Sequence, residues 1–222
     1  MSKAASEGIA AIHWFRKGLR LHDNPALLEA CKRATVLYPI FIIDPHFAKP
    51  DTVGVNRYQF LLESLQDLDQ SLKTLGSRLF VVRGKPEEEL PALCAEWGIS
   101  LLTFESDTEP YAIKRDKAIV DQFSGSGGNV FTFSSHTLRD TDAYLSKCGG
   151  KVPGSYQGFC KLFQSLGKIR DTFDMVGIDK MPGFDDAAIT GRCFDIPTLS
   201  EMGYSASPAS KFRGTAFLTR VK

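Results

Sequence analysis

Apolar positions along this chain fall into two alternating kinds of segment. Continuous apolar runs at residues 9–15, 35–43, 78–82, 101–105 and 130–133 have the length and the branched and aromatic content of buried strands. Between them, residues 25–33, 56–75, 86–97 and 110–123 carry apolar side chains at helical spacing. The clearest is the second, where Leu61, Leu62, Leu65, Leu68, Leu72 and Leu75 recur at intervals of three and four. Strands alternating with helices predict an α/β fold: an open five-stranded parallel sheet, Rossmann-like, with helices on both faces, because right-handed crossovers permit little else.

The first turn is the most informative. The run ending at Phe15 breaks into Arg16-Lys17-Gly18-Leu19-Arg20, and Pro25 then suits a first helical position, with Asn24 or Asp23 before it to cap the free amides. Beyond residue 138 the pattern dissolves. Gly149-Gly150, Pro153-Gly154, Pro182-Gly183, Pro197 and Pro208 interrupt it, and Tyr156 to Gly167 is the one helical candidate. Residues 8–138 are thus expected to form the α/β domain. Residues 139–222 read as an irregular connector with one short helix, whose Phe159, Phe163, Phe212 and Phe217 would pack on a neighbour.

Composition narrows the function classes. A chain of 222 residues with 43% hydrophobic content buries enough surface for a core without staples. The formal net charge is +1, and residues 1–138 hold 15 Lys/Arg against 17 Asp/Glu, so no strong nucleic-acid footprint is expected. The five cysteines are widely spaced with no C-x-x-C pair, as a reducing compartment tolerates. No run approaches the length of a membrane span, and Met1 to Gly8 is short and polar, so the expectation is a soluble intracellular protein of cytoplasm, nucleus or both, with no membrane partner.

Chemistry-bearing motifs are few. The first βα turn has one glycine where a dinucleotide fingerprint needs three. Arg16, Lys17 and Arg20 there either hold an anion or pair with acidic neighbours. Ser134, Ser135 and His136 lack a surrounding nucleophile elbow and read as a polar strand end. The four histidines show no metal-ligand spacing, and His13 alternates into a strand as a packed imidazole. No catalytic or metal-binding residue is assigned.

The run Trp14-Phe15-Arg16-x-x-Leu19-Arg20-x-x-Asp23-Asn24 resembles the opening of the photolyase and cryptochrome family, whose members use blue light to repair DNA or to signal. The resemblance continues through residues 39–45, 55–62, 77–84 and 107–116, and Ser135-His136-Thr137-Leu138 is most similar to animal cryptochromes and six-four photolyases. Phe212-Arg213-Gly214 is similar to the family's F-x-G-G-E linker but lacks its second glycine and glutamate. The resemblance implies a pocket for a deazaflavin-type antenna, lined by Phe41, Asp44, Arg57, Asp107 and Glu109. It implies no FAD, because the family's flavin-holding helical half would lie beyond Lys222, and Trp14 and Trp97 read as core aromatics instead of an electron relay.

The function implied is an antenna-chromophore-binding module related to blue-light photoreception or light-dependent DNA repair, with no lyase activity expected of this chain alone. The alternatives are an interaction module, which would meet a protein partner through the connector and an exposed sheet face, and a truncated product with no activity of its own. At the five pocket positions the plain reading is a strand-ending turn at Asp44-Pro45, a helix start at residues 107–110, and an Arg57 paired with one of those acids.

Overall fold

Three of the four crossovers begin with a helix whose first position is built for the purpose. Pro25, Pro86 and Pro110 open these helices, where a missing amide proton costs nothing. Asn24 caps the first, its side-chain oxygen accepting from the Leu27 amide at 3.0 Å. The computed structural model describes residues 8–177, 179–189, 191–205, 208 and 211–214.

Five strands, β1 (Ala10–Phe15), β2 (Val36–Ile43), β3 (Phe80–Arg83), β4 (Leu101–Glu105) and β5 (Asn129–Phe133), form one parallel sheet in the order β3-β2-β1-β4-β5. Phe15 stands opposite Phe41 on β2, and Trp14 opposite Phe104 on β4. The strand order reverses between β1 and β4, which leaves a crevice beyond their carboxyl ends.

Helices α1 (Pro25–Arg33) and α2 (Val55–Thr74) share one core with Leu37 and Val81; α3 (Pro86–Glu96) and α4 (Pro110–Gly125) share the other with Ile12, Tyr38, Ile40 and Leu102. The predicted leucine stripe is the buried stripe of α2: Leu65, Leu68 and Leu72 are fully enclosed, each worth about 1.5–3 kcal/mol of burial. β3 begins two residues later than the apolar run suggested, because the Leu79 amide donates to Asp69 Oδ1 at 2.9 Å and not to a neighbouring strand.

The segment after residue 138 departs furthest from expectation. Besides α6 (Tyr156–Ser165) it contains α5 (Thr141–Lys147) and a 3-10 turn at Asp186–Ala188. The α5 helix carries no apolar period, so pattern reading passes over it; its start is set by Asp140, which accepts from the Asp142 amide at 3.1 Å. Neither α5 nor α6 buries a residue, and Tyr144 stacks on Phe159 and Phe163 between them.

Residues 176–204 are more than a connector. Val176 and Met181 enter the α1/α2 core, and Phe194 enters the other, packed on Phe80 and Trp97. The Gly183 carbonyl accepts from the Leu37 amide at 2.9 Å and that of Phe194 from Val81 at 2.8 Å, which covers the β3 side of the sheet. Helices on both faces bury β1 and β4, whereas β5 at the sheet edge stays exposed or half-buried. Phe217 lies outside the described residues. Among the described residues, no helix is long and apolar enough to cross a membrane.

Candidate functional site

A cavity of about 300 Å³ opens beyond the carboxyl ends of β1, β2 and β4, and Phe41, Asp44, Arg57, Asp107 and Glu109 all line it. The fold explains the convergence. Phe41 lies near the end of β2 and Asp44 just past it, Arg57 lies in the first turn of α2, and Asp107 and Glu109 occupy the turn between β4 and α4. Asp107 shapes that turn itself, accepting from the amides of Thr108 at 2.7 Å and Glu109 at 3.1 Å.

Most of the site's charge is internally matched. Lys17 Nζ lies 2.9 Å from both Asp107 Oδ1 and Glu109 Oε1. Arg16 reaches Asp116 at 2.6 Å and Asp107 at 3.5 Å, and Arg115 reaches Asp116 at 2.9 Å and Asp44 at 3.5 Å. Asp44 also accepts from Tyr111 Oη at 2.8 Å and from the His46 amide at 2.8 Å. The Trp14 ring lies within cation–π range of both guanidiniums, each 4.8 Å away.

Titration follows this matching. Burial alone would raise the Asp107 carboxyl, but Lys17, the Glu109 amide and Arg16 together hold it below the usual carboxylate range. Burial opposes the Lys17 ammonium, yet Glu109 and Asp107 raise its pKa above the ordinary value. Arg16 is pushed down by burial, which Asp116 offsets only in part. Tyr111 is pushed up, first by burial and then by its bond to the Asp44 carboxylate.

The turn cations Arg16 and Lys17 thus pair with acids and do not form an open anion site. Arg57 does the reverse of its plain reading: among the described residues it makes no ion pair and stands exposed at the rim. Sequence reasoning placed five lining residues and missed the network behind them. Tyr111 and Arg115 sit four apart on α4, so both reach Asp44 just past β2; that spacing was the available signal.

The second polar cluster behaves as a strand end. Ser135 Oγ donates to Glu105, and His136 Nδ1 stays 4.0 Å from that carboxylate, so no imidazole contacts the hydroxyl as a base. His13 is buried, with Nδ1 2.9 Å from Thr103 Oγ1.

An open parallel sheet with a cavity of this size at its switch point defines an α/β domain of the doubly wound kind, and the switch point is where such folds place their ligands. A profile of the DNA photolyase family matches residues 11–174, and the chain belongs to that family. It is 40% identical to Cryptochrome-1 of Erithacus rubecula, over 97% of this chain and 36% of that protein. It is 43% identical to the (6-4)DNA photolyase of Arabidopsis thaliana, over 89% of this chain and 37% of that one. The chain therefore spans about a third of the length of these relatives.

Among solved structures, a bacterial class III photolyase from Agrobacterium tumefaciens superposes with a TM-score of 0.72 at 27% identity, over 84% of this chain and 37% of that one. An archaeal photolyase from Sulfolobus tokodaii shares the fold at a TM-score of 0.67 and 22% identity, over 93% of this chain and 44% of that one; that protein holds two FAD molecules, implying a novel light-harvesting cofactor.

Proposed function

We propose that the cavity binds a planar, anionic chromophore of the deazaflavin type, and that the chain serves the family's light-dependent chemistry as an antenna module. The observation that carries this reading is the charge arrangement. The carboxylates of Asp44 and Asp107 are occupied by cations and donors of the protein, while Arg57 stands at the rim with no ion pair among the described residues. A guest with an ionised ring oxygen satisfies that cation.

Phe41 and Phe47 offer aromatic surface to a flat ring, and Glu109, half-exposed with one oxygen taken by Lys17, retains acceptor capacity for a hydroxylated side chain. Asp44 acts indirectly, by holding Tyr111 and Arg115 in place. An antenna passes excitation to an acceptor, so light-driven DNA repair or blue-light signalling is proposed only for a longer chain that supplies one.

The test is spectroscopic. Purified protein titrated with a deazaflavin is expected to gain a bound violet or blue absorbance band, weakened at least tenfold in apparent affinity by Arg57→Ala. A protein that stays colourless and ignores the added chromophore overturns the reading.

A second reading, a protein partner on α5 and α6, is favoured by the exposure of Leu138, Val152 and Tyr156 beside the Tyr144–Phe159–Phe163 stack. A complex lost on Tyr156→Asp would support it; a complex indifferent to that change would remove it.

A further inference from the structure

Residues 198–204 form a helical turn with a defined cap at each end. At its start, Glu201 Oε2 accepts from the Thr198 amide at 2.7 Å and from Thr198 Oγ1 at 2.8 Å, while Thr198 Oγ1 accepts from the Glu201 amide at 3.3 Å, a reciprocal capping box. At its end, Gly203 adopts φ +84° and the Tyr204 amide reaches back to the Leu199 carbonyl at 3.0 Å, the left-handed ending that glycine permits. Arg83 at the end of β3 lies 3.7 Å from Glu201. Ile196, Leu199, Met202 and Tyr204 pack on the α1/α2 core.

This turn delivers Tyr204 to the loop that rims the cavity. Tyr204 Oη donates to the Val53 carbonyl at 2.8 Å, and its ring lies 5.1 Å from that of Tyr58, a cavity-lining residue. The Tyr58 hydroxyl is buried with no hydrogen-bond partner among the described residues, so packing alone holds that side chain. Val53 immediately precedes Gly54, the N-cap of α2, which provides no side-chain cap. The first turns of α2 then carry Arg57, Tyr58 and Leu61 into the cavity wall. Within the loop the Val53 amide donates to the Lys49 carbonyl at 2.9 Å, and Tyr204 adds the bond from outside it to the residue before the α2 N-cap.

We propose that Tyr204 is a positioning residue of the pocket: through Val53 and Tyr58 it fixes the start of α2 and hence the rim cation Arg57. The inference rests on the pocket assignment above for its ligand readout, but its structural readout is independent of any ligand. Because binding and positioning are linked, a guest held by Arg57 reciprocally protects the turn 198–204, which does not line the cavity.

The test uses Tyr204→Phe, which removes one hydrogen bond and keeps the ring. In the ligand-free protein, amide exchange over residues 49–58 is expected to accelerate several-fold while β1 and β4 amides keep their rates. Deazaflavin affinity is expected to fall about three- to tenfold, the range for one net hydrogen bond, and in the wild type the chromophore is expected to slow exchange in residues 198–204. Unchanged exchange over residues 49–58 overturns the positioning role whatever the chromophore does. A wild type that ignores deazaflavin, combined with faster exchange in Tyr204→Phe, upholds the positioning role and removes the chromophore instead.

Discussion

His13 gives the sharpest quantitative prediction. It lies on β1, 1% exposed, its Nδ1 held 2.9 Å from Thr103 Oγ1 on β4 and its Nε2 3.4 Å from the side-chain Nδ2 of Asn24. Burial pushes its pKa down from 6.5 to about 3, so the folded protein keeps it neutral across most of the acid range. The unfolded chain takes up a proton there below about 6.5. Between those two values unfolding binds one proton, and stability falls by about 1.36 kcal/mol for each pH unit lowered.

At pH 5, about 1.5 units below the unfolded value, the loss attributable to His13 is about 2 kcal/mol, or about 4–8 °C in Tm for a chain of this size. Asp23 and Asp107, held below 3.8, and Glu63 and Glu201, held below 4.5, lose their contributions only at still lower pH. The interval from pH 7 to pH 5 therefore separates the imidazole from those acids. Urea unfolding of wild type and His13→Asn at pH 7 and pH 5 measures it: the wild type should lose about 2 kcal/mol more than the variant. Equal losses in both proteins would refute the reasoning.

Two further substitutions probe the pocket network and the late segment. Asp44→Ala strands the buried Arg115 with Asp116 alone and leaves Tyr111 Oη without its acceptor, so urea unfolding should show a loss of about 3 kcal/mol, with Asp44→Asn milder; a loss under 1 kcal/mol would mean the network is dispensable. Phe194→Ala removes a buried ring from Phe80 and Trp97 and should cost about 3–5 kcal/mol, with limited proteolysis cutting residues 176–204 before the strands; simultaneous cleavage of both regions would count against an edge-covering role.

Long-period apolar patterning made the sheet unit legible. The stripe from Leu61 to Leu72 and the prolines at the starts of α1, α3 and α4 marked elements whose positions in the fold agree within a residue or two. The five cavity residues were legible only through family resemblance, since Asp44 and Asp107 look like ordinary turn residues in a single sequence. What stayed hidden depends on tertiary pairing. Nothing local announces that Lys17 will reach Glu109, 92 positions away, or that Phe194 will fill a space beside Phe80. α5 was missed for the opposite reason: a seven-residue helix set by its cap has no apolar face to read.

The place of residues 176–204 in both cores has a consequence for how the chain comes into being. A ribosome releasing about 5–20 residues per second emits the last strand several seconds before Phe194 and Tyr204 follow. During that interval the nascent sheet carries an unsealed margin at β3, at the stage of biogenesis when intermolecular strand pairing is most dangerous. Maturation is complete only when this late-emerging stretch swings back across the molecule, so lesions within it should depress cellular yield more than their modest distance from the surface suggests.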